Sequence, residues 1–226
     1  MKLGVLFSGG KDSTLALHKA HEKEEVACLI TLRSKNPESY MFHTPNINLS
    51  ALQAEALGIP MVTKETEGKK EEELADLQEA IAEAQKTFHS EGIVTGAVES
   101  VYQAQRVQRI CNRLDLWCFN PLWKHNPKAL LEELVEKRFS VIISGIFAYP
   151  LDESWLGKQI DPNIIRKLVA LQQEIGLSPS GEGGEIETTV LDAPLFKKRI
   201  EILDYAVEAK GNSGVFRINA ARLIQK

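Results

Sequence analysis

The chain has 226 residues, 43% hydrophobic and 26% charged, with a formal net charge of −4. That length suits one large domain, or a nucleotide-binding domain with a small companion, and no apolar run reaches the ~20 residues a membrane span needs. The mildly acidic balance gives no support to broad nucleic-acid binding, and the apolar start is too short for a signal peptide, so a cytoplasmic protein without direct nucleic-acid or membrane contact is expected.

Residues 2–8 form a short apolar run ending at a glycine pair and predict a buried strand. A helix over 12–24 should follow, then a second buried strand over 26–32 and a polar loop over 33–46 containing Pro37 and Pro45. Residues 48–57 predict a helix closed by Gly58, with Pro60 just beyond. A third strand falls at 60–65, and a charged helix at 71–90 spaces Leu74, Leu77, Ile81 and Ala84 along one face. A fourth strand at 93–97, a helix at 101–114, a short strand at 116–119, a helix at 127–138 and an apolar strand at 140–147 continue the alternation. This pattern predicts an α/β fold with a parallel doubly wound sheet covered on both faces.

After Ala148 the alternation stops. A loop with Asp152 and Trp155, a helix at 161–175, a Gly- and Glu-rich segment at 181–187 and a mostly extended tail with a turn near 211–214 remain. The expected division is a nucleotide-binding domain over 1–148 and a smaller C-terminal α+β domain for substrate over 149–226. The three cysteines, Cys28, Cys111 and Cys118, have the spacing of neither a zinc site nor a redox pair and read as core thiols.

The strand–SGGKDS–helix arrangement at Ser8, Gly9, Gly10, Lys11, Asp12 and Ser13 is that of an anion site. A helix start presents unpaired N–H groups and the positive end of its dipole, and glycines let the backbone approach phosphate oxygens. Ser8 and Ser13 can donate hydroxyls and Lys11 supplies a cation. Asp12 repels a polyphosphate unless it holds a metal ion or favours the helix start. The pattern is not Walker A, which needs four residues between its glycine and GK[ST]. It resembles the PP-loop of N-type ATP pyrophosphatases, which implies attack at the α-phosphorus with pyrophosphate leaving.

Two further segments are rich in polar residues. Gly96 and Glu99 follow the fourth strand, at the carboxyl ends of the strands where open parallel sheets place ligands. Tyr102, Gln103 and Arg106 follow, with Tyr102 and Arg106 on one helix face; an ordinary ion pair at a solvated helix start is the bland alternative, and Arg109 and Arg113 read as solvated face. Segment 181–189, with Glu182, Glu185, Glu187 and Thr188, clusters acids that suit a metal, an ammonium ion or acid–base work, or else form a polar loop. Residues 41–46, with His43, read as a loop.

Taken together, SGGKDS, MFHTPN, GAVESVYQAQR, PLW at 121–123 and GEGGEIETTVLDAPLF resemble the diphthine–ammonia ligase family from residue 8 to about 196. SGGxDS marks only the broad superfamily, whereas GEGGEIET followed by DAPLF is much more specific. The resemblance implies an adenine nucleotide alpha hydrolase-like (HUP/PP-loop) fold and the last step of diphthamide synthesis: ATP activates the trimethylammonio carboxylate on a modified histidine of translation elongation factor two as an acyl-adenylate, and ammonia then displaces AMP. It implies that Ser8, Gly9, Gly10, Lys11, Asp12, Ser13 and Gly96 bind ATP, with Asp12 toward Mg²⁺. Lys11, Asp12 and Glu185 would be catalytic, and Glu99, Tyr102, Gln103, Arg106, Glu182, Glu187 and Thr188 would face substrate. The expected partners are ATP, ammonium and the elongation factor, with a homodimer also compatible. Many members carry a further C-terminal region whose role is not expected of this chain. The competing readings are another PP-loop enzyme acting on tRNA, and a non-catalytic ATP or AMP regulator.

Overall fold

Five short apolar segments of the N-terminal half lie side by side as one parallel sheet in the computed structural model, which describes residues 1–36, 45–69 and 72–226. These are β1 (Lys2–Leu6), β2 (Glu25–Ser34), β3 (Met61–Thr66), β4 (Gly92–Val94) and β5 (Trp117–Phe119), in the order β3-β2-β1-β4-β5. Every pairing among them is parallel. Their connections contain α1 (Lys11–His21), α2 (Ser50–Leu57), α3 (Glu72–Phe88) and α4 (Val101–Arg113). The middle of β1 and of β2 is buried at consecutive positions, as in a strand covered on both faces. Leu77, Ile81 and Ala84 of α3 and Val107, Ile110 and Cys111 of α4 share one cluster with Cys28, Ile30, Val62 and Ile93 of the strands, while Leu74 is only half-buried. Gly58 ends α2 in the left-handed conformation (φ 70°), as its position predicts.

The chain divides into two compact units, Met1–Trp123 and Lys124–Lys226. The expected division at residue 148 differs because the apolar run at 140–147 does not join the parallel sheet. It forms β6 (Ser140–Ile146), which pairs antiparallel with β7 (Ile186–Asp192) and β9 (Ser213–Gln225). A continuous apolar run says that a strand is buried, not which sheet buries it. The second unit opens with α5 (Pro127–Glu136), holds α6 (Pro162–Ile175) and closes with β8 (Lys198–Lys210) paired to β9, giving sheet order β7-β6-β9-β8. Both helices start with Pro at the first position behind a capping side chain: Asn126 Oδ1 accepts from Ala129 N at 3.1 Å, and Asp161 Oδ1 from Ile164 N at 2.7 Å. The tail turns at Gly211 and Asn212 between Lys210 and Ser213, with Gly211 at φ 62°, as a two-residue hairpin loop allows.

Among the described residues no helix is long and apolar enough to cross a membrane. Cys28 and Cys111 are buried and Cys118 packs against their cluster. The Cys118 thiol beside it, and then burial, hold the Cys111 thiol far above its ordinary range, and Cys111 in turn lowers Cys118. The two thiols that the spacing reads as unrelated are therefore neighbours at the edge of the core.

Candidate active site

β1 ends at Leu6, and the chain turns through Ser8–Gly10 into α1. Gly10 stands at the N-cap with extended backbone (φ −81°, ψ 172°), and no side chain among the described residues caps the helix. The N–H groups of a helix start and the positive end of its dipole favour an anion. The hydroxyls tie the loop to itself instead. Ser13 Oγ accepts from Ser8 N at 3.3 Å and donates to the Gly10 carbonyl at 3.1 Å, and Thr14 Oγ1 donates to the same carbonyl at 2.8 Å. Ser8 Oγ and Ser13 Oγ lie 3.2 Å apart.

Two elements press on this loop from outside. Gln53, fully buried on α2, donates its Nε2 to the Gly9 carbonyl at 2.9 Å. Gly9 has φ 78°, and a Cβ there would sit 2.0 Å from Gln53 Oε1. Gly96, after β4, lies so close to the start of α1 that a Cβ on it would be 2.8 Å from Ser13 N and 2.9 Å from Asp12 C. Both glycines are needed for close approach, and in Gly9 also for the backbone angle. The sequence reading puts Gly96 at the carboxyl end of the fourth strand; its close approach to the start of α1 is seen only in the structure. The segment before it is held by Thr95 Oγ1, which bonds Asn120 Oδ1 at 2.5 Å and accepts from Ala97 N at 3.1 Å. Gln53, Thr95 and Asn120 are absent from the sequence reading.

Lys11 is 3% exposed, and its Nζ lies 2.7 Å from Asp12 Oδ2. Asp12 Oδ1 is shielded from solvent and has no hydrogen-bond partner among the described residues. That oxygen fits a hard cation such as Mg²⁺. No group of three or more His, Cys, Asp or Glu side chains among the described residues could hold a metal. Among the described residues, Asp12 is the carboxylate that would hold such an ion.

Four residues later in the chain than Gly96, Ser100 caps α4 by accepting from Gln103 N at 3.3 Å. Arg106 does stack on Tyr102, with its Cζ 3.4 Å from the ring centroid, so these two residues share a helix face as predicted. Glu99 precedes the cap. His43 and residues 41–44 of the MFHTPN segment lie outside the described residues; Asn46, at its end, has φ 63°.

The acidic segment belongs to the second unit and is a self-bonded turn. Glu185 Oε1 accepts from Ser178 N at 3.1 Å and Oε2 from Gly183 N at 2.8 Å. Glu182 Oε1 accepts from Ser180 Oγ at 3.0 Å. Gly181 and Gly184 adopt φ 76° and 83°. Glu187 and Thr188 lie on β7, opposite Gly145 and Ile143 of β6.

The family model described as the diphthamide synthase N-terminal domain matches residues 1–117, and that of the diphthamide synthase C-terminal domain matches residues 126–224. The chain belongs to the diphthamide synthase family. Its curated relatives include diphthine–ammonia ligases from Bos taurus (32% identical, 92% of this chain and 87% of that protein) and Homo sapiens (33%, 88% and 82%). The one from Danio rerio is 33% identical over 89% of this chain and 86% of that protein. A solved structure described as a predicted subunit of tRNA methyltransferase from Methanocaldococcus jannaschii aligns with 86% of this chain and 98% of that one, at 22% identity and a TM-score of 0.46.

Proposed function

We propose that the chain uses ATP to activate the diphthine carboxylate of translation elongation factor two as an acyl-adenylate, and that ammonia then displaces AMP to form the amide. Its family makes it a carbon–nitrogen ligase of diphthamide synthesis. The two steps balance. The carboxylate oxygen bonds the α-phosphorus as pyrophosphate departs, and ammonia attacks the acyl carbon, losing a proton as AMP departs. A carboxylate needs this activation because oxide is too poor a leaving group for ammonia to displace.

The observation that carries the reading is the uncapped start of α1, closed in by Gln53 and Gly96 and carrying a buried lysine. Its amides would hold the polyphosphate, with Ser8, Gly9, Gly10 and Ser13 shaping the cradle. Lys11 would stabilise charge as it builds on the departing pyrophosphate. Mg²⁺ at Asp12 would supply charge neutralisation. Glu99, Tyr102, Gln103 and Arg106 are assigned to the substrate side. Glu182 and Glu187 are assigned to its cationic end, because a carboxylate away from bulk water attracts an ammonium group more strongly, and Thr188 is assigned to the substrate beside them. Both oxygens of Glu185 are taken up by backbone amides, which favours a role in shaping that turn over one in proton transfer. The setting proposed is the cytoplasm.

The test is to incubate the protein with ATP, Mg²⁺, ammonium and the diphthine-bearing factor, then measure AMP, pyrophosphate and amide. Formation of all three, dependent on the factor, is expected. ADP and orthophosphate as main products would place the chain in another mechanistic class.

A further inference from the structure

The PLW run at 121–123 carries neither a charge nor a nucleophile, so what it contributes is shape. It leaves β5 as a turn: Trp123 N donates to the Asn120 carbonyl at 3.0 Å, Pro121 stands second in that turn, and Leu122 is fully buried. Asn in the first place and Pro in the second suit such a turn. The turn fixes Asn120, and the Asn120 side chain reaches across to the end of β4. Its Oδ1 accepts from Thr95 Oγ1 at 2.5 Å, and Thr95 Oγ1 accepts from Ala97 N at 3.1 Å. A threonine hydroxyl has one proton to give; given to Asn120, it leaves a lone pair facing the Ala97 amide. Thr95 is 5% exposed and Ala97 6%, so water is poorly placed to replace either bond.

Gly96 stands between the two residues that share this hydroxyl. On one side Thr95 N donates to the Phe119 carbonyl at 2.9 Å, which extends the β4–β5 pairing by one residue. On the other side Ser100 caps α4. We propose that Thr95 and Asn120 are positioning residues for ATP: their bond holds Gly96 against the Asp12–Ser13 peptide and so sets the shape of the phosphate cradle. This role presupposes that residues 8–13 hold ATP. A Cβ on Gly96 would lie 2.8 Å from Ser13 N, so the two backbones are already in contact, and in a close-packed interior a shift of residues 95–97 is passed on to the loop. Neither side chain has to touch the nucleotide. A hydroxyl and an amide suit the task, because they fix the backbone without setting a negative charge beside a polyphosphate.

The experiment is ATP binding by calorimetry, with the kinetics of AMP formation, on the full chain and its variants. Thr95→Val keeps the shape of the side chain and removes its hydroxyl. It should raise Kd and KM for ATP about tenfold, the scale of one buried hydrogen bond, while kcat stays within about threefold. Thr95→Ser keeps the hydroxyl and should bind ATP within about twofold of the wild type. Asn120→Ala frees the hydroxyl to turn away and should weaken ATP binding by no more than Thr95→Val does. The double variant should be no weaker than Thr95→Val, because the two side chains act through one bond. Thermal melting shows that each variant folds; if Thr95→Val does not, Asn120→Ala at its half-buried site carries the same test. A wild-type chain without ATP affinity overturns the reading of the loop and this role with it. A wild-type chain that binds ATP no better than Thr95→Val or Asn120→Ala overturns the role alone, even if the variant melts lower. Losses that add in the double variant, or a Thr95→Ser as weak as Thr95→Val, overturn it too.

Discussion

The loop at 8–13 and the turn at 178–187 are both glycine-rich and polar, yet they are held in different ways. In the first, no side chain among the described residues caps the helix start, and the loop is braced from outside by Gln53 and by the close approach of Gly96. In the second, the Glu185 carboxylate takes up two amides of its own turn. The first is a cradle braced by α2 and by Gly96; the second is a turn held by its own carboxylate. Glycine content alone does not separate the two. What holds each loop does.

The largest effect should come from emptying the cradle of its cation. Lys11→Ala should lower kcat/KM for ATP by about 10²–10³, the scale of losing one preorganised group that stabilises transition-state charge. Circular dichroism should show the fold unchanged, and undiminished AMP formation would remove Lys11 from the site. Next comes Gly96→Ala. Its Cβ would meet backbone of α1 at 2.8 Å, which cannot swing aside as a side-chain end can. A loss of about 1–3 kcal/mol in stability is expected, together with weakened ATP use. Thermal melting and pyrophosphate release check both, and an unperturbed enzyme would mean that the loop and β4 are not tightly apposed.

Gln53→Ala should cost about 1–3 kcal/mol, because it leaves the buried Gly9 carbonyl without its donor. If Gln53 holds the loop in shape, KM for ATP should rise more than kcat falls. Equal loss of kcat with KM unchanged would point instead to a part in the chemical step.

The strand–loop–helix order around residues 8–13 was legible because its motif is local: six consecutive residues lie between an apolar run and a helical pattern. Gly96 was legible as the end of a strand, but not its close approach to the start of α1. Gln53 could not, since its contact spans 44 positions and nothing in its own segment announces a loop partner. The strand at 140–147 was recognisable as buried, but its sheet was not, because parallel and antiparallel partners can demand the same apolar run. The contact between Cys111 and Cys118 was hidden similarly: it is made by the packing of α4 against β5, not by a spaced motif.

The smallest effect on nucleotide should come from the second turn, and it tests the contrast most directly. Glu185→Gln keeps the size of the side chain but replaces one acceptor oxygen with an NH₂ donor. That group would then confront the N–H of either Ser178 or Gly183, two donors face to face. One of the two bonds is lost and the turn loosens, at about 1–3 kcal/mol for the amide left unpaired if it is dehydrated. Because the change is confined to the turn, ATP affinity should stay within about twofold, whereas amide formation should fall if Glu182 and Glu187 need that turn to face the cationic end of the substrate. Nucleotide binding by calorimetry and amide by mass spectrometry separate the two quantities. A collapse of ATP affinity would make Glu185 a metal or phosphate ligand, and the contrast between a braced loop and a self-bonded turn would fail. Full retention of both would reduce the turn to scaffold and leave the chemistry to the phosphate loop and the start of α4.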